Sequence, residues 1–403
     1  MAEKMLRLVL FSSLFPTSAR PQAGLFIRER LRQVMPRVQA TVVSPQPWFP
    51  FQGLLRLVRP GYRPSVPRRE VQDDLIVYSP RFLALPGLGR RFDGFMMALS
   101  AYGTVSRIAR ECGVDLLDAH FAYPDGYGAS YLARWLSIPF VVTLRGTEVR
   151  CCGTPALRKR LLRALNRAAS VITVANSLRD VVSAAGADPA KIERIGNGVD
   201  CERFQPVDRK EARRRLDLPV GVPVLISVGG LVARKGFHRV IEILPALRER
   251  WPELRYLVVG GPGPEGDMRD QLAQQVAALG LTDCVHFLGA IPPEELRVPL
   301  SASDLFVLAT ENEGWANVFL EAMACGLPVV TTRVGGNAEV VESEALGRLV
   351  PFGDGEALRE AIEQLLQSPP DSSAIREYAV ANAWSRRVDQ LLSVYRRASE
   401  GGQ

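Results

Sequence analysis

The chain is poor in the residues that most often build metal centres and disulfide frameworks. It holds three histidines and six cysteines in 403 residues, with no C-x-x-C pair and no D-x-D anywhere. Cys112, Cys151, Cys152, Cys201, Cys284 and Cys325 therefore read as free thiols of a reducing compartment rather than as zinc ligands or bridges. No apolar run approaches the roughly 18–20 residues that span a bilayer, which argues against an integral helical membrane protein. Lys4 and Arg7 ahead of Leu8–Phe15 resemble the start of a signal peptide, but a buried first strand followed by a Pro/Gly loop explains the segment as well. No RRM, KH, zinc-finger or basic-zipper pattern is present, so nucleic acid is not an expected partner.

What is there is globular: 47% hydrophobic and 23% charged residues, with 34 Gly and 29 Pro. At roughly 150 residues per domain, two domains are the expectation. The charge is unevenly divided between them. Residues 1–199 carry 28 Lys+Arg against 14 Asp+Glu, a net +14, and residues 200–403 carry 22 against 29, a net −7. The first half should therefore meet something anionic, such as a lipid surface or a phosphate-bearing acceptor.

Short apolar runs alternate with longer amphipathic ones, the pattern of parallel sheets covered by helices. Strands are expected at Leu6–Phe11, 40–43, 116–119, Phe140–Leu144, 171–174 and 191–195, and again at Val224–Val228, Arg255–Val259, 285–288, Leu305–Leu308 and Val329–Thr332. Turn chemistry around residues 196–221 separates an N-terminal domain, 1–199, from a C-terminal one, 200–383. A last helix over about 384–400 is expected to pack back on the first domain. Residues 44–91 break the pattern with eight prolines, among them Pro60 and Pro86, and read as a loop without regular elements. Within it, Trp48–Phe51 and Leu54–Arg59 mix apolar and basic residues, which suits either a packed loop or a membrane-surface or acceptor-gripping insertion.

The strongest local signal is Glu313-Gly-Trp-Ala-Asn-Val-Phe-Leu-Glu321. Glu313 falls in the loop after a strand, at the carboxyl edge where open α/β sheets bind ligands. Asn317 and Val318 would open a helix whose N–H groups face phosphate, and Glu321 one turn on could accept hydrogen bonds from ribose hydroxyls. Val228-Gly-Gly-Leu-Val-Ala-Arg-Lys-Gly236 leads from a strand through Gly230 to Arg234 and Lys235, cations able to neutralise a departing diphosphate. Gly24 precedes a helix after the first strand and would let backbone approach an anion. His120 stands at the end of another strand, whereas His238 and His286 read as structural. Gly261-Pro-Gly-Pro-Glu-Gly266 matches G-x-G-x-x-G formally, but Pro262 and Pro264 lack the N–H groups that a pyrophosphate needs, so these residues read as a turn beside a nucleotide.

Together with Asn197-Gly-Val-Asp200, Asp118-Ala-His-Phe-Ala-Tyr-Pro-Asp-Gly126, Thr143-Leu-Arg-Gly146, Glu321–Val330 and Gly335-Gly336, these motifs resemble the retaining GT-B glycosyltransferases of family 4, over nearly the whole chain. Their wording is most similar to bacterial teichuronic-acid and exopolysaccharide transferases. The resemblance implies an α/β fold of two doubly wound Rossmann-like domains facing a central cleft. It implies a nucleotide-sugar donor on the second domain, a glycan or lipid-linked acceptor on the first, and a product in cell-surface polysaccharide synthesis. Carried over, Arg234 and Lys235 hold the donor diphosphate, Glu321 the ribose, and Glu313 the sugar or the charge developing near its anomeric carbon. His120 contacts the donor sugar and Gly24 lies against the phosphates. Arg145 stands where many relatives have His, and Thr147-Glu148 where an Asp is usual, so no role is carried to Glu148. No cofactor and no metal are expected, because the D-x-D carboxylates that hold a divalent ion are missing. The expected location is the cytoplasm, with peripheral attachment of the basic domain to the cytoplasmic face of the inner membrane. Two other readings fit the same architecture, a nucleotide-sugar epimerase or hydrolase and a non-catalytic glycan-binding protein.

Overall fold

The computed structural model describes residues 5–21, 23–58, 62–85, 90–263 and 265–401. Lys4, Arg59, Pro60, Pro86 and Pro264 lie outside the described residues. The chain divides into two units, one made of the residues up to Gly196 with those from Arg387 onward, the other Asn197–Arg386. The divisions fall at 196/197 and 386/387 rather than at 199 and 383, because Val199 bonds to the far end of its own unit. Its N–H donates to Asn382 O at 3.2 Å, and Trp384 N–H donates to Val199 O at 3.1 Å. Most of the last helix, Trp384–Glu400, belongs to the first unit.

The first unit is built on an eight-stranded sheet in the order Ile192–Arg194, Ser170–Thr173, Phe140–Leu144, Leu116–His120, Leu6–Phe11, Val38–Val43, Leu75–Tyr78, Arg69–Gln72. Neighbours run parallel except the last pair, which is an antiparallel hairpin. Leu116–His120 and Phe140–Leu144 are buried along their whole length, as parallel strands covered on both faces must be. From Leu6–Phe11 the chain first builds outward to Val38–Val43 and then returns to add Leu116–His120 on the other side. That reversal opens a crevice at the carboxyl ends of the two central strands.

The second unit repeats the plan with a six-stranded parallel sheet, Val285–Gly289, Arg255–Val259, Val224–Val228, Leu305–Leu308, Val329–Thr332, Gly347–Val350. Here the order reverses between Val224–Val228 and Leu305–Leu308. Two apolar clusters, one around Phe306 and Phe319 and one around Phe237 and Tyr256, cover the sheet.

The expectation of an unstructured loop over 44–91 is corrected. Leu75-Ile-Val-Tyr78 is a β-branched and aromatic run that joins the main sheet, with Val42 opposite Val77 and Val43 opposite Tyr78. Gln46–Trp48 and Arg81–Leu83 form a two-stranded parallel ribbon, and Gln52–Val58 is a helix. Most of the prolines sit between these elements, and Pro47 lies in the short ribbon outside the main sheet. All six cysteines are free. Among the described residues no helix is long and apolar enough to cross a membrane.

Candidate active site

In the second unit the reversal point carries a compact charged cluster. Val224–Val228 ends in Gly229-Gly230, and a single helical turn, Ala233–Lys235, leads through Gly236 into the helix Phe237–Arg250. Gly236 has φ 76°, and a Cβ there would come within 1.9 Å of Ala309 O, so only glycine lets this turn close on the segment after Leu305–Leu308. Glu311 N–H and Thr310 Oγ1 both donate to Arg234 O, at 2.7 and 3.0 Å. The side chains then converge on one carboxylate. Lys235 Nζ donates to Glu313 Oε1 at 2.5 Å, Arg234 Nη1 lies 3.4 Å from the same oxygen, and Thr310 Oγ1 stands 3.2 Å from it. Gly336 N–H holds Glu313 O at 3.0 Å, and a Cβ on Gly335 would sit 1.9 Å from that oxygen.

Arg234 Nε also donates to Glu265 Oε1 at 2.9 Å, which ties the turn to Gly261–Gly266. Gly230 stands beside that segment, with Leu231 N–H donating to Gly261 O at 2.8 Å. Asn317 and Val318 open the helix Asn317–Ala324, which has no side-chain cap, and Glu321 is half-buried one turn further on. Asn317 Oδ1 accepts from Asn197 Nδ2 at 2.8 Å, so Asn197 is bonded to the start of this helix. Among the described residues no group of three or more His, Cys, Asp or Glu could hold a metal ion.

In the first unit Gly24 has φ 74° and begins the helix Leu25–Val34. A Cβ there would approach Leu14 O to 2.4 Å. His120 ends its strand fully buried, with both ring nitrogens engaged. Arg145 Nε donates to Nδ1 at 2.9 Å, which leaves the ring proton on Nε2, 3.2 Å from Asp118 Oδ2. That carboxylate also accepts from the Tyr395 hydroxyl at 2.7 Å, and Arg30 Nη2 donates to the same hydroxyl at 3.0 Å. The guanidinium of Arg145 lies 5.0 Å from the Phe26 ring, two residues after Gly24. The structure thus joins the regions of Gly24 and His120 through Arg145, Asp118 and Tyr395. Both ring nitrogens of His120 are engaged within this network.

Residues 208–381 match the family described as glycosyl transferases group 1, and residues 55–203 match glycosyltransferase family 4. A D-inositol 3-phosphate glycosyltransferase of Geodermatophilus obscurus is 33% identical over 305 residues, 71% of this chain and 67% of its own. The chain belongs to the GT-B glycosyltransferases of group 1 and family 4. A Bacillus subtilis protein named as a teichuronic acid biosynthesis glycosyltransferase, TuaC, is 28% identical over 89% of this chain and 88% of its own. Among solved structures, sucrose-phosphate synthase of Thermosynechococcus elongatus superposes with a TM-score of 0.77 at 21% identity, covering 98% of this chain and 99% of that one. Anabaena HepE in complex with UDP and glucose gives 0.72 at 21% identity, over 97% and 99%. At that identity both show the fold.

Several residues of this glycosyltransferase were hidden from sequence reasoning. Glu148 is fully buried and accepts backbone N–H groups from Ala122, Arg145 and Gly146 at 3.0, 3.1 and 2.8 Å, locking two loops at the carboxyl edge. Asp125 is buried and accepts both the N–H and the hydroxyl of Ser13, which fixes the loop leading to Gly24. The available signal was polar residues at strand ends inside apolar surroundings.

The same burial sets the acid–base behaviour. Burial pushes Asp125 up to about 7 against the pull of Ser13. For His120, burial, with Arg145 and Arg30, lowers the imidazole to about 4 despite Asp118. For Asp118, burial acts upward, but His120, Arg30 and Tyr395 prevail and hold it at about 2. Between pH 4 and 6.5 the unfolded His120 binds a proton that the folded one does not, so its contribution to stability rises with pH. Folded Asp125 keeps a proton that the unfolded one loses, so its contribution falls over nearly the same window. Each changes by about 1.4 kcal/mol per pH unit, with opposite signs. Asp125→Asn removes the falling contribution. Urea unfolding at pH 4.5 and 6.5 should then find the variant gaining stability relative to the parent as pH rises, and a pH-independent difference would refute the assignment.

Proposed function

We propose that this chain is a retaining, metal-independent transferase that moves a sugar from a nucleotide-diphosphate sugar to a glycan or lipid-linked acceptor in cell-surface polysaccharide synthesis. The observation that carries the reading is the convergence of Arg234, Lys235 and Glu313 at the reversal point of the second sheet. Two cations fixed there by backbone hydrogen bonds are suited to a diphosphate, and they can stabilise its charge as it departs, the work that a divalent ion does elsewhere. The uncapped start of Asn317–Ala324 adds N–H groups of the same sense. With no ligand, Glu313 neutralises Lys235, and a diphosphate entering beside them takes over that role. Glu313 is then free to face the sugar and the positive charge that develops at its anomeric carbon. Glu321 serves the ribose.

In this reading the acceptor hydroxyl attacks on the face from which the phosphate leaves, and the phosphate oxygen takes the hydroxyl proton. No protein base is required. In the first unit His120 acts as a positioning residue. It stays neutral above pH about 4 and holds Arg145 Nε through Nδ1, fixing the guanidinium that stacks on Phe26 beside Gly24. HepE has been solved in complex with UDP, with UDP and glucose, and with UDP-glucose, which supports a nucleotide-sugar donor without choosing the base. Names such as D-inositol 3-phosphate glycosyltransferase support an anionic acceptor for the basic unit.

A thermal-shift screen across UDP-, GDP- and ADP-sugars tests the donor assignment. One class should raise the unfolding midpoint, since a ligand at about 100 times its Kd adds roughly 2.7 kcal/mol to the state it binds. Arg234→Ala should abolish that rise. If no nucleotide sugar moves the midpoint, the assignment fails.

A further inference from the structure

The loop Gly261–Gly266 brings to the charged cluster a side chain of the wrong sign for holding phosphate. Glu265 Oε1 accepts from Arg234 Nε at 2.9 Å. The backbone around it is fixed to the glycine turn that leads to Arg234. Leu231 N–H donates to Gly261 O and Met268 N–H donates to Leu231 O, both at 2.8 Å, while Gly263 and Gly266 exchange backbone hydrogen bonds at 2.8 and 3.1 Å. A Cβ on Gly263 would come within 2.8 Å of a Val232 methyl, so the loop packs directly on that turn. The Glu265 side chain is 53% exposed. Its carboxylate can therefore leave Arg234 by rotating into solvent, with the backbone left in place.

The guanidinium itself shows what this contact occupies. An arginine grips a phosphate or carboxylate through a pair of parallel N–H groups, either Nε with Nη2 along one edge or Nη1 with Nη2 at the end. In Arg234, Nη1 faces Asn312 O and Glu313 Oε1, each at 3.4 Å. Nη2 makes no hydrogen bond among the described residues. The edge of Nε and Nη2 is thus the one turned from Glu313, and Glu265 already holds half of it. A phosphate that takes both N–H groups of this edge must displace the Glu265 carboxylate. Charge leads to the same conclusion. Arg234 and Lys235 carry two positive charges, and Glu265 with Glu313 cancels them. A diphosphate brings enough negative charge to replace both carboxylates, and has to do so to feel both cations in full.

We infer that Glu265 is a built-in competitor of the donor diphosphate, holding the Arg234 Nε–H until a phosphate oxygen takes it and reclaiming it as the nucleoside diphosphate departs. The inference rests on the transferase reading and adds to it a residue that sets how tightly the diphosphate is held. Release of product limits turnover in many enzymes, and a carboxylate that competes for the guanidinium loosens the product as well as the donor.

Isothermal titration of the full chain with UDP and with uridine tests this, or with GDP and guanosine or ADP and adenosine if the thermal-shift screen selects that base. Glu265→Gln keeps the length of the side chain and removes its charge. It should bind the diphosphate about threefold to fivefold more tightly than the parent does, the range expected when a partly exposed ion pair no longer competes. The nucleoside, which has no phosphate, should bind both proteins alike. Asp267→Asn removes the same charge two residues away, where the carboxylate accepts from Arg269 N–H and not from Arg234, and should leave the diphosphate Kd unchanged. A Kd in Glu265→Gln equal to or weaker than that of the parent overturns the inference. Equal tightening in both variants also overturns it, since net charge alone would then account for the effect. The midpoint shift produced by the nucleotide sugar is measured on the same preparations. If the parent shows that shift while Glu265→Gln keeps parent-like diphosphate affinity, only the competitor falls. If the parent shows no shift, the transferase reading falls and the inference with it.

Discussion

Replacing Lys235 with alanine is expected to lower kcat about 10²–10³-fold while leaving the fold intact. The Lys235 side chain is 14% exposed, and the turn Ala233–Lys235 is held without it, by Glu311 and Thr310 through Arg234 O. Its chemical contribution grows with the charge on the departing diphosphate. The loss should therefore be larger in kcat than in donor affinity, the signature of an interaction stronger in the transition state than in the ground state. Initial rates with the nucleotide sugar that raises the midpoint, together with the donor Kd of the variant, check both halves. Near-normal turnover would remove Lys235 from the chemistry.

The largest effect on stability is expected at Asp118. It is 1% exposed, accepts from Tyr395, faces the His120 ring proton, and balances the buried charge of Arg30. Asp118→Ala strands a 3% exposed guanidinium without its counter-charge, and removing one partner from such an arrangement costs about 3–5 kcal/mol. Tyr395→Phe keeps the charges and removes one hydroxyl, for a smaller loss of about 1–3 kcal/mol. Urea unfolding followed by fluorescence should move the transition of the first unit in both variants, in that order. A parent-like midpoint for Asp118→Ala would mean that Arg30 is solvated by other means.

Much of this architecture was legible because parallel strands covered on both faces are short unbroken apolar runs. Leu6–Phe11, Phe140–Leu144, Val224–Val228, Arg255–Val259, Leu305–Leu308 and Val329–Thr332 have the same bounds in sequence and structure. Gly347–Val350 was missed because Gly347-Arg348 interrupts the apolar pattern of an edge strand. Residues 44–91 were misjudged because proline density was weighed without position. Leu75–Tyr78 needs four residues free of proline and has them. The cluster around Glu313 was readable because a strand end, two glycine turns and adjacent cations are local features. The partners of His120 were not, since Tyr395 lies 275 positions away and only tertiary structure sets it beside the strand.

That long-range bond also constrains the order in which the protein can be made. The second unit, Asn197–Arg386, is continuous, so all its strands have been synthesised before the final helix is complete. The buried charges Arg30 and Asp118 of the first unit have no Tyr395 hydroxyl between them until the whole second unit has been translated. Domains synthesised first usually fold first. Here the last helix cannot fasten the first unit until the second has been synthesised.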